Sequence, residues 1–461
     1  ADPKKFFAQG SLEQNMAILD SMALLYCSSG DPKLLTFCQM VVAELQIPPA
    51  GDYIRNALKG QAFYKGSQPR WEALCGICGF AVLYHATGQQ DLSTAYQQIW
   101  WSLCEYERHN QGGMMSGEQA RGDPYNTASE ETCCTVTWGA MCVEMLKLTG
   151  NSVVADELEL SLLNSGMFLL SPSGRWCVYN SMMDGVRSST MMEISFQCKP
   201  GSSELSCCSV NGPRMIGLLS EYAVMRLDSG SHAAGFAINL FAAGTTTVST
   251  PKGDGHIVFT QETDYPLGDG TINLTVSPSA RSAVTFTLWL RSPCWSAKTT
   301  VTVAGAAVLA NQIIAGKYLP IQRAWSNGDK VEIQLDFRLR IWEQILLPET
   351  EAHQFEKQCQ LCASIGAPPK PVWSSGQDAK WDINGVVMGS HPGSVHTITV
   401  PPKSGSQPVN AGPTTGMAWI APHFMSATGM GGDMIPFSFG ANTGTKGSDD
   451  CRALAITSGG S

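Results

Sequence analysis

The stretch Glu130-Glu131-Thr132-Cys133-Cys134 opens an apolar-periodic run through Trp138, Cys142 and Leu146, and that run closes on Leu146-Lys147-Leu148-Thr149-Gly150-Asn151. Thr127-Ala128-Ser129-Glu130 has the capping-box pattern, so a helix is expected to open here with Glu131 and Cys133 in its first turn. Gly150 suits a left-handed cap. The same ending occurs twice earlier, at Tyr26-Cys27-Ser28-Ser29-Gly30-Asp31-Pro32 and at Tyr84-His85-Ala86-Thr87-Gly88-Gln89. After each glycine a new amphipathic segment begins, near Lys33, Asp91 and Ser152. The three glycines recur at intervals of about 60 residues. Evenly spaced helical hairpins of this length predict an α/α toroid, whose inner helices present loop ends to a central pocket.

A second stretch, Leu205-Ser206-Cys207-Cys208-Ser209-Val210-Asn211-Gly212-Pro213-Arg214, repeats the arrangement of cysteines near a helix N-terminus. Gly212-Pro213 is read as the start of a helix carrying Met215, Leu218, Leu219, Tyr222 and Met225. A thiol near the positive end of a helix ionises more readily. One carboxylate and three cysteines from two such sites suffice for a closed four-ligand zinc centre.

From about Gly235 the hydrophobic period changes from helical to two: Phe236, Ile238 and Leu240; Ile257 and Phe259; Ile272, Leu274 and Val276; Val284 to Leu290; Val331 to Phe337. Turn residues such as Ser326-Asn327-Gly328-Asp329 separate these strands, giving an antiparallel β-sandwich. After about Glu343 the chain is rich in Gly, Pro, Ser and Thr, with strand-like pieces such as His396-Thr397-Ile398-Thr399-Val400. The expected organisation is α + β and multidomain: helical hairpins over 1–230, a β-sandwich over 235–343, and a loop-rich β region over 344–461.

Of the 461 residues, 43% are hydrophobic and 15% charged, a globular composition. Thirty Lys and Arg against 39 acids give a net charge of −9, which argues against a nucleic-acid or anionic-membrane surface and is compatible with a neutral sugar ligand. No apolar run approaches the roughly 20 residues that cross a bilayer. Sixteen cysteines and the sequon Asn273-Leu274-Thr275, lying in an expected strand, favour a secreted, extracellular glycoprotein glycosylated at Asn273. Cys75 and Cys78 read as packing residues, Cys134 and Cys142 as core or disulfide residues. Cys359 and Cys362 have CxxC spacing without a second pair, which is not a zinc ribbon. His85 is expected on an outer helix and His109 in a loop.

Taken in order, Glu131-Thr132-Cys133 with its helix ending Leu-Thr-Gly, Ala155-Asp156-Glu157-Leu158-Glu159, Leu163-Asn164, Trp176-Cys177-Val178-Tyr179, Cys207-Cys208 and Gly212-Pro213-Arg214 resemble the zinc-thiolate β-L-arabinofuranosidase family of glycoside hydrolases, the family 127 type. Leu290 to Trp295 and Ile321 to Ile333 resemble the β domain that follows its six-hairpin α/α barrel. The resemblance implies zinc held by Glu131, Cys133, Cys207 and Cys208, with Cys207 also the nucleophile. It implies Glu118, at the end of the Gly-rich segment Gly112 to Glu118 and ahead of Gly122-Asp123-Pro124-Tyr125, as general acid/base. Arg70, Trp71 and Tyr179 are placed on the substrate side. Where the family has a histidine before Glu-Ala-Leu-Cys, this chain has Gln68-Pro69-Arg70-Trp71, and a guanidinium does not replace an imidazole. Trp71 reads as a sugar-stacking platform or as core.

The implied function is a retaining exo-glycosidase acting on an arabinose-containing glycan or glycoprotein. The competing reading is a non-catalytic glycan-binding or structural glycoprotein on the same scaffold. Periodicity gives about eight helices where a six-hairpin barrel has twelve. The barrel is therefore expected to be N-terminally shortened, with a partner chain, another copy or a retained segment covering the apolar flank of Ile18, Leu19, Met22 and Leu25.

Overall fold

A computed structural model describes residues 16–48, 50–67, 71–109, 111–114, 119–122, 124, 129–167, 169–170, 177–181, 207–227, 234–337 and 340–343, with four short strands beyond. It divides into two compact units, one built from 1–150 and 160–216 with 447–451, the other from 151–159 and 217–446 with 452–461.

The first unit is made of helical hairpins. Its helices are α1 (Ile18–Ser29), α2 (Pro32–Glu44), the short α3 (Tyr53–Leu58), α4 (Ala73–Thr87), α5 (Gln90–Tyr106) and α6 (Thr132–Thr149). Helix α7 (Ser152–Ser161), whose residues 152–159 belong to the second unit, is followed in the chain by a π-helical turn, Leu162–Gly166, of the first. The three expected glycine caps are present: Gly30, Gly88 and Gly150 have φ of 70°, 73° and 58°, and each N–H closes onto the carbonyl four residues back. Glycine takes this left-handed conformation without a Cβ penalty, and the next helix starts two residues later in every case.

Helix α4 is apolar all round and packs against α1, α5 and α6. A Cβ on its Gly79 would stand 2.8 Å from Leu19 Cγ, so glycine sets how closely α1 approaches. Between α5 and α6 the Trp100 and Trp138 rings stack at 5.0 Å. Tyr96 donates its hydroxyl to the Met141 carbonyl at 2.7 Å, so this aromatic layer buries its polar tip with a partner. On α1, Leu19 and Ala23 are buried while Ile18, Leu24 and Leu25 are exposed.

Two expectations of helix extent are corrected. The capping box at 127–130 does not open α6. Glu130–Glu131 is a strand, β1, paired antiparallel with β2 (Asn180–Ser181), and the helix starts at Thr132 with Glu131 as an uncapping N-cap residue. Long-range pairing outcompetes the local cap. The expected helix from Met215 to Leu227 is likewise broken into α9 (Arg214–Gly217) and α10 (Leu219–Tyr222), and Val224–Leu227 becomes strand β3, drawn into a ladder with β4 (Gly235–Ile238).

In the second unit, β5 (Gly244–Ser249), β6 (His256–Glu262), β7 (Thr271–Pro278), β9 (Thr300–Val303), β10 (Ala306–Ala307) and β12 (Asp329–Gln334) form an antiparallel sheet of order β10-β9-β12-β7-β6-β5. A second sheet has the order β11-β8-β4-β3, with β8 (Val284–Ser292) and β11 (Lys317–Trp325); here β4 runs parallel to β8. The inward residues Ile257, Phe259, Ile272, Leu274, Val276, Val331 and Ile333 alternate with less buried neighbours, as the period of two requires. Phe236 of one sheet meets Phe259 of the other edge-on at 5.7 Å, so the two faces share one aromatic core. Arg291, fully buried on β8, binds Asp156 at 2.5 Å and also Glu159. Among the described residues beyond 337, β13 (Arg340–Glu343), β14 (Asp382–Ile383), β15 (Val386–Met388), β16 (Met417–Ile420) and β17 (Ile456–Thr457) form a sheet of order β14-β15-β13-β16-β17. Residues 359, 362 and 396–400 lie outside the described residues.

Candidate metal-thiolate site

Strand β1 is only two residues long, and strand alternation sends its two carboxylates to opposite sides. Its position is set by the backbone: Glu131 N–H donates to the Met114 carbonyl and Thr132 N–H to the Tyr179 carbonyl, both at 3.0 Å. The Thr132 hydroxyl adds a bond to the Val178 carbonyl at 2.7 Å. Cys133 is thereby fixed as the second residue of α6. Facing it is a short helix, α8 (Cys207–Asn211), which the vicinal cysteines open rather than precede. Gly212 allows α8 to settle there, because a Cβ would stand 2.5 Å from Cys177 Sγ.

The sulfur atoms of Cys133, Cys207 and Cys208 all lie within 4.8 Å of one another. Cys208 Sγ is 3.3 Å from Cys133 Sγ and 4.0 Å from Glu131 Oε1. Asn211 donates its amide N–H to Cys133 Sγ at 3.4 Å. Cys208 is fully buried with Tyr179 against it, whereas Cys207 is exposed. Hydrogen bonds from Cys133 and Cys208, then from the Cys208 backbone and Tyr179, lower the Cys207 thiol to about 3 against the opposing effect of burial. The donors are pushed the other way: Cys133 is raised first by its bond to Cys207, and Cys208 by its bonds to Cys133 and Cys207. The exposed sulfur of Cys207 is thus the one whose ionisation the other two thiols favour.

A zinc ion with sulfur ligands at about 2.3 Å in a tetrahedron separates those sulfurs by about 3.8 Å, and the cluster is close to that spacing. Three thiols and a carboxylate also match the metal's ligand preferences. The three thiols of Cys133, Cys207 and Cys208 therefore fit a thiolate metal centre such as zinc, and the Glu131 carboxylate lies beside them, 4.0 Å from Cys208 Sγ.

Of the other expected site residues, Glu118 and Arg70 lie outside the described residues. Trp71 is 4% exposed, in the core of the helical unit. Tyr179 is 2% exposed, with its hydroxyl engaged by Cys207. Asn273 sits half-buried on the central strand β7, between Glu262 and Glu332. The disulfide alternative for Cys134 and Cys142 is not supported: both are buried in the core, and none of the described cysteines is paired in a disulfide. Sequence reasoning missed Asn211, which lies four residues after Cys207, a spacing that places both on one helix face. It also missed His109, Glu130 and Ser165, which meet behind the site.

The description "Beta-L-arabinofuranosidase, GH127 catalytic domain" matches residues 4–221, and "Beta-L-arabinofuranosidase, GH127 middle domain" matches residues 235–337. Among solved structures, one titled "Glycoside hydrolase" is similar with a TM-score of 0.58 and 22% identity, over 75% of this chain and 60% of that one. Ara127N-Se, a GH127 β-L-arabinofuranosidase from Geobacillus stearothermophilus T6, gives a TM-score of 0.57 and 23% identity over 75% of this chain and 56% of its own. The GH127 β-arabinofuranosidase BT3674 gives 0.52 and 21% over 68% and 50%. These likenesses concern the fold, and the chain spans between 50% and 60% of the length of the solved enzymes it matches. No match was found among curated proteins.

Helical hairpins of the α/α type bearing a three-thiol cluster, followed by a two-sheet β unit, define the class. The chain belongs to the GH127 β-L-arabinofuranosidase family.

Proposed function

We propose that this protein is a retaining exo-glycosidase that cleaves a terminal β-L-arabinofuranosyl residue from a glycan or glycoprotein, with Cys207 as nucleophile and Glu118 as general acid/base. The observation that carries the reading is the three-sulfur cluster in which Cys207 is the exposed member, open to an incoming ligand, with Cys133 and the buried Cys208 behind it. A thiolate, not a thiol, is the reactive form.

Cys207 Sγ attacks the anomeric carbon, a C–S bond forms as the glycosidic C–O bond breaks, and the departing oxygen takes the Glu118 proton. Water then adds to the same carbon from the face that the leaving group vacated, gives its proton to Glu118, and the C–S bond breaks to regenerate the thiolate. Two displacements retain the anomeric configuration. Zinc, when bound, supplies a positive charge that keeps the thiols of the cluster deprotonated. Tyr179 and the Cys208 N–H orient the nucleophile through their hydrogen bonds to its sulfur.

The test is hydrolysis of an aryl β-L-arabinofuranoside by the full chain and by Cys207→Ser. Release of aryl alcohol that the serine variant lacks is expected. An inactive wild type with zinc bound, on a broad panel of aryl glycosides, would favour a non-catalytic glycan-binding role.

A further inference from the structure

On the far side of β1 from the thiols lies a buried polar group that the proposed chemistry does not use. Glu130 is 1% exposed and His109 is fully buried, with His109 Nδ1 3.5 Å from Glu130 Oε1. The Ser165 hydroxyl sits between Glu130 Oε2 at 2.6 Å and the Gln111 carbonyl at 2.9 Å. Removing a carboxylate from water is costly unless the fold supplies partners of this kind.

The group is wired into the ligand-bearing segment. His109 and the segment 111–114 close on one another, His109 N–H to the Gly113 carbonyl and Gly112 N–H to the His109 carbonyl, both at 2.9 Å. A side chain at Gly113 would collide with the Glu130 carboxylate, so that carboxylate lies directly on the loop backbone. The π-helical turn Leu162–Gly166 directs Ser161 and Ser165 at the same loop, Ser161 donating to the Gly112 carbonyl at 2.8 Å. The loop's last residue, Met114, then grips both ends of the half-site: its carbonyl accepts from Glu131 N–H, and its N–H donates to Thr135 Oγ1 at 3.3 Å.

We propose that Glu130, bonded by Ser165 and facing the buried His109 imidazole, is the positioning residue for the Glu131–Cys133 half of the metal centre. Its fixed carboxylate sets the rotation of β1 that aims Glu131 at Cys208. The inference rests on the zinc reading of the cluster. Partners behind ligating residues commonly govern metal affinity by about 10- to 100-fold.

The test uses the full chain with Glu130→Gln, Ser165→Ala, the double variant His109→Gln/Glu130→Gln, and Glu144→Gln on the outer part of α6 as control. Zinc affinity is read by chelator competition, and ligand geometry by the thiolate-to-metal absorption of the cobalt(II)-substituted protein. Glu130→Gln is expected to weaken zinc by about 10-fold or more and to alter the cobalt spectrum while far-ultraviolet circular dichroism stays native. The double variant, in which two amides face each other, is expected to recover part of the loss. A Glu130→Gln protein that binds zinc and cobalt like wild type overturns the proposal and leaves the metal centre standing. A wild type that takes up neither metal overturns both. Should Glu130→Gln not fold, Ser165→Ala decides, because it keeps the carboxylate and removes only the hydroxyl that contacts it and the Gln111 carbonyl: unchanged zinc affinity overturns the proposal, and weakened affinity with an altered cobalt spectrum supports it.

Discussion

Cys208 Sγ stands 3.3 Å from Cys133 Sγ although the two residues are 75 apart in sequence. The contact joins the first turn of a long helix to a short helix of only five residues. Thiols at this distance either share protons or share a metal, and the exposed Cys207 beside them benefits in both states.

Metal content follows from the ligand set. The full chain should hold about one zinc, and Cys133→Ser should lower affinity by at least tenfold, because a hydroxyl is a poorer zinc ligand than a thiolate. Thermal unfolding with zinc at 100 times its dissociation constant should show the native state stabilised by about 2.7 kcal/mol. A melting curve indifferent to zinc and to chelator would count against the centre.

Arg291 is the buried cation between Asp156 and Glu159. Arg291→Met leaves two carboxylates facing each other in the core, so a loss of about 3–5 kcal/mol is expected by urea denaturation. A cost under about 1 kcal/mol would show that the pair is not what joins α7 to β8.

The same cluster gives a pH dependence with a definite sign. Burial raises the Asp156 carboxyl to about 6, against the pull of Arg291. A folded-state value above the unfolded one means that the fold favours the protonated form. This stabilising contribution is complete below about pH 4 and is lost as pH rises through about 6. In urea unfolding at pH 4 and pH 7, the stability difference between wild type and Asp156→Asn should shift by up to about 3 kcal/mol. The wild type should lose ground at the higher pH, and a shift in the opposite sense would refute the assignment.

The glycine caps are open to a simple check. A Cβ at Gly150 would meet nothing within 4 Å, so Gly150→Ala costs only the left-handed backbone, about 1 kcal/mol. At Gly112, with φ of 82° and a Cβ 2.6 Å from Ser161 Cα, the same change should cost clearly more. Equal losses in thermal melts would mean that the loop yields more readily than its packing implies.

These contrasts also mark what the sequence made legible. Gly30, Gly88 and Gly150 announced their helix ends because a cap is a local event, whereas Cys133 and Cys207-Cys208 pointed to one cluster through the ordered series of motifs that resembles the family, since vicinal cysteines alone read equally as buried or disulfide-bonded residues. The strand pattern from Gly235 was equally local. What sequence reading missed was decided at a distance. Thr127 to Glu130 reads as a capping box, yet pairing with Asn180–Ser181 makes Glu130–Glu131 a strand. Val224–Leu227 continues a helical pattern, yet Gly235–Ile238 recruits it into a sheet. Glu130 and Ser165 meet across 35 residues of sequence, with no periodic signal to link them.

The central claim is that Cys207 is the nucleophile, and peptide mapping by mass spectrometry after incubation with a slow-hydrolysing or mechanism-based β-L-arabinofuranoside tests it most directly. A single pentosyl adduct on the peptide carrying Cys207, absent from Cys207→Ser, is the predicted result. Turnover of the aryl glycoside by Cys207→Ser at the wild-type rate, with the label on another residue or on none, would contradict it.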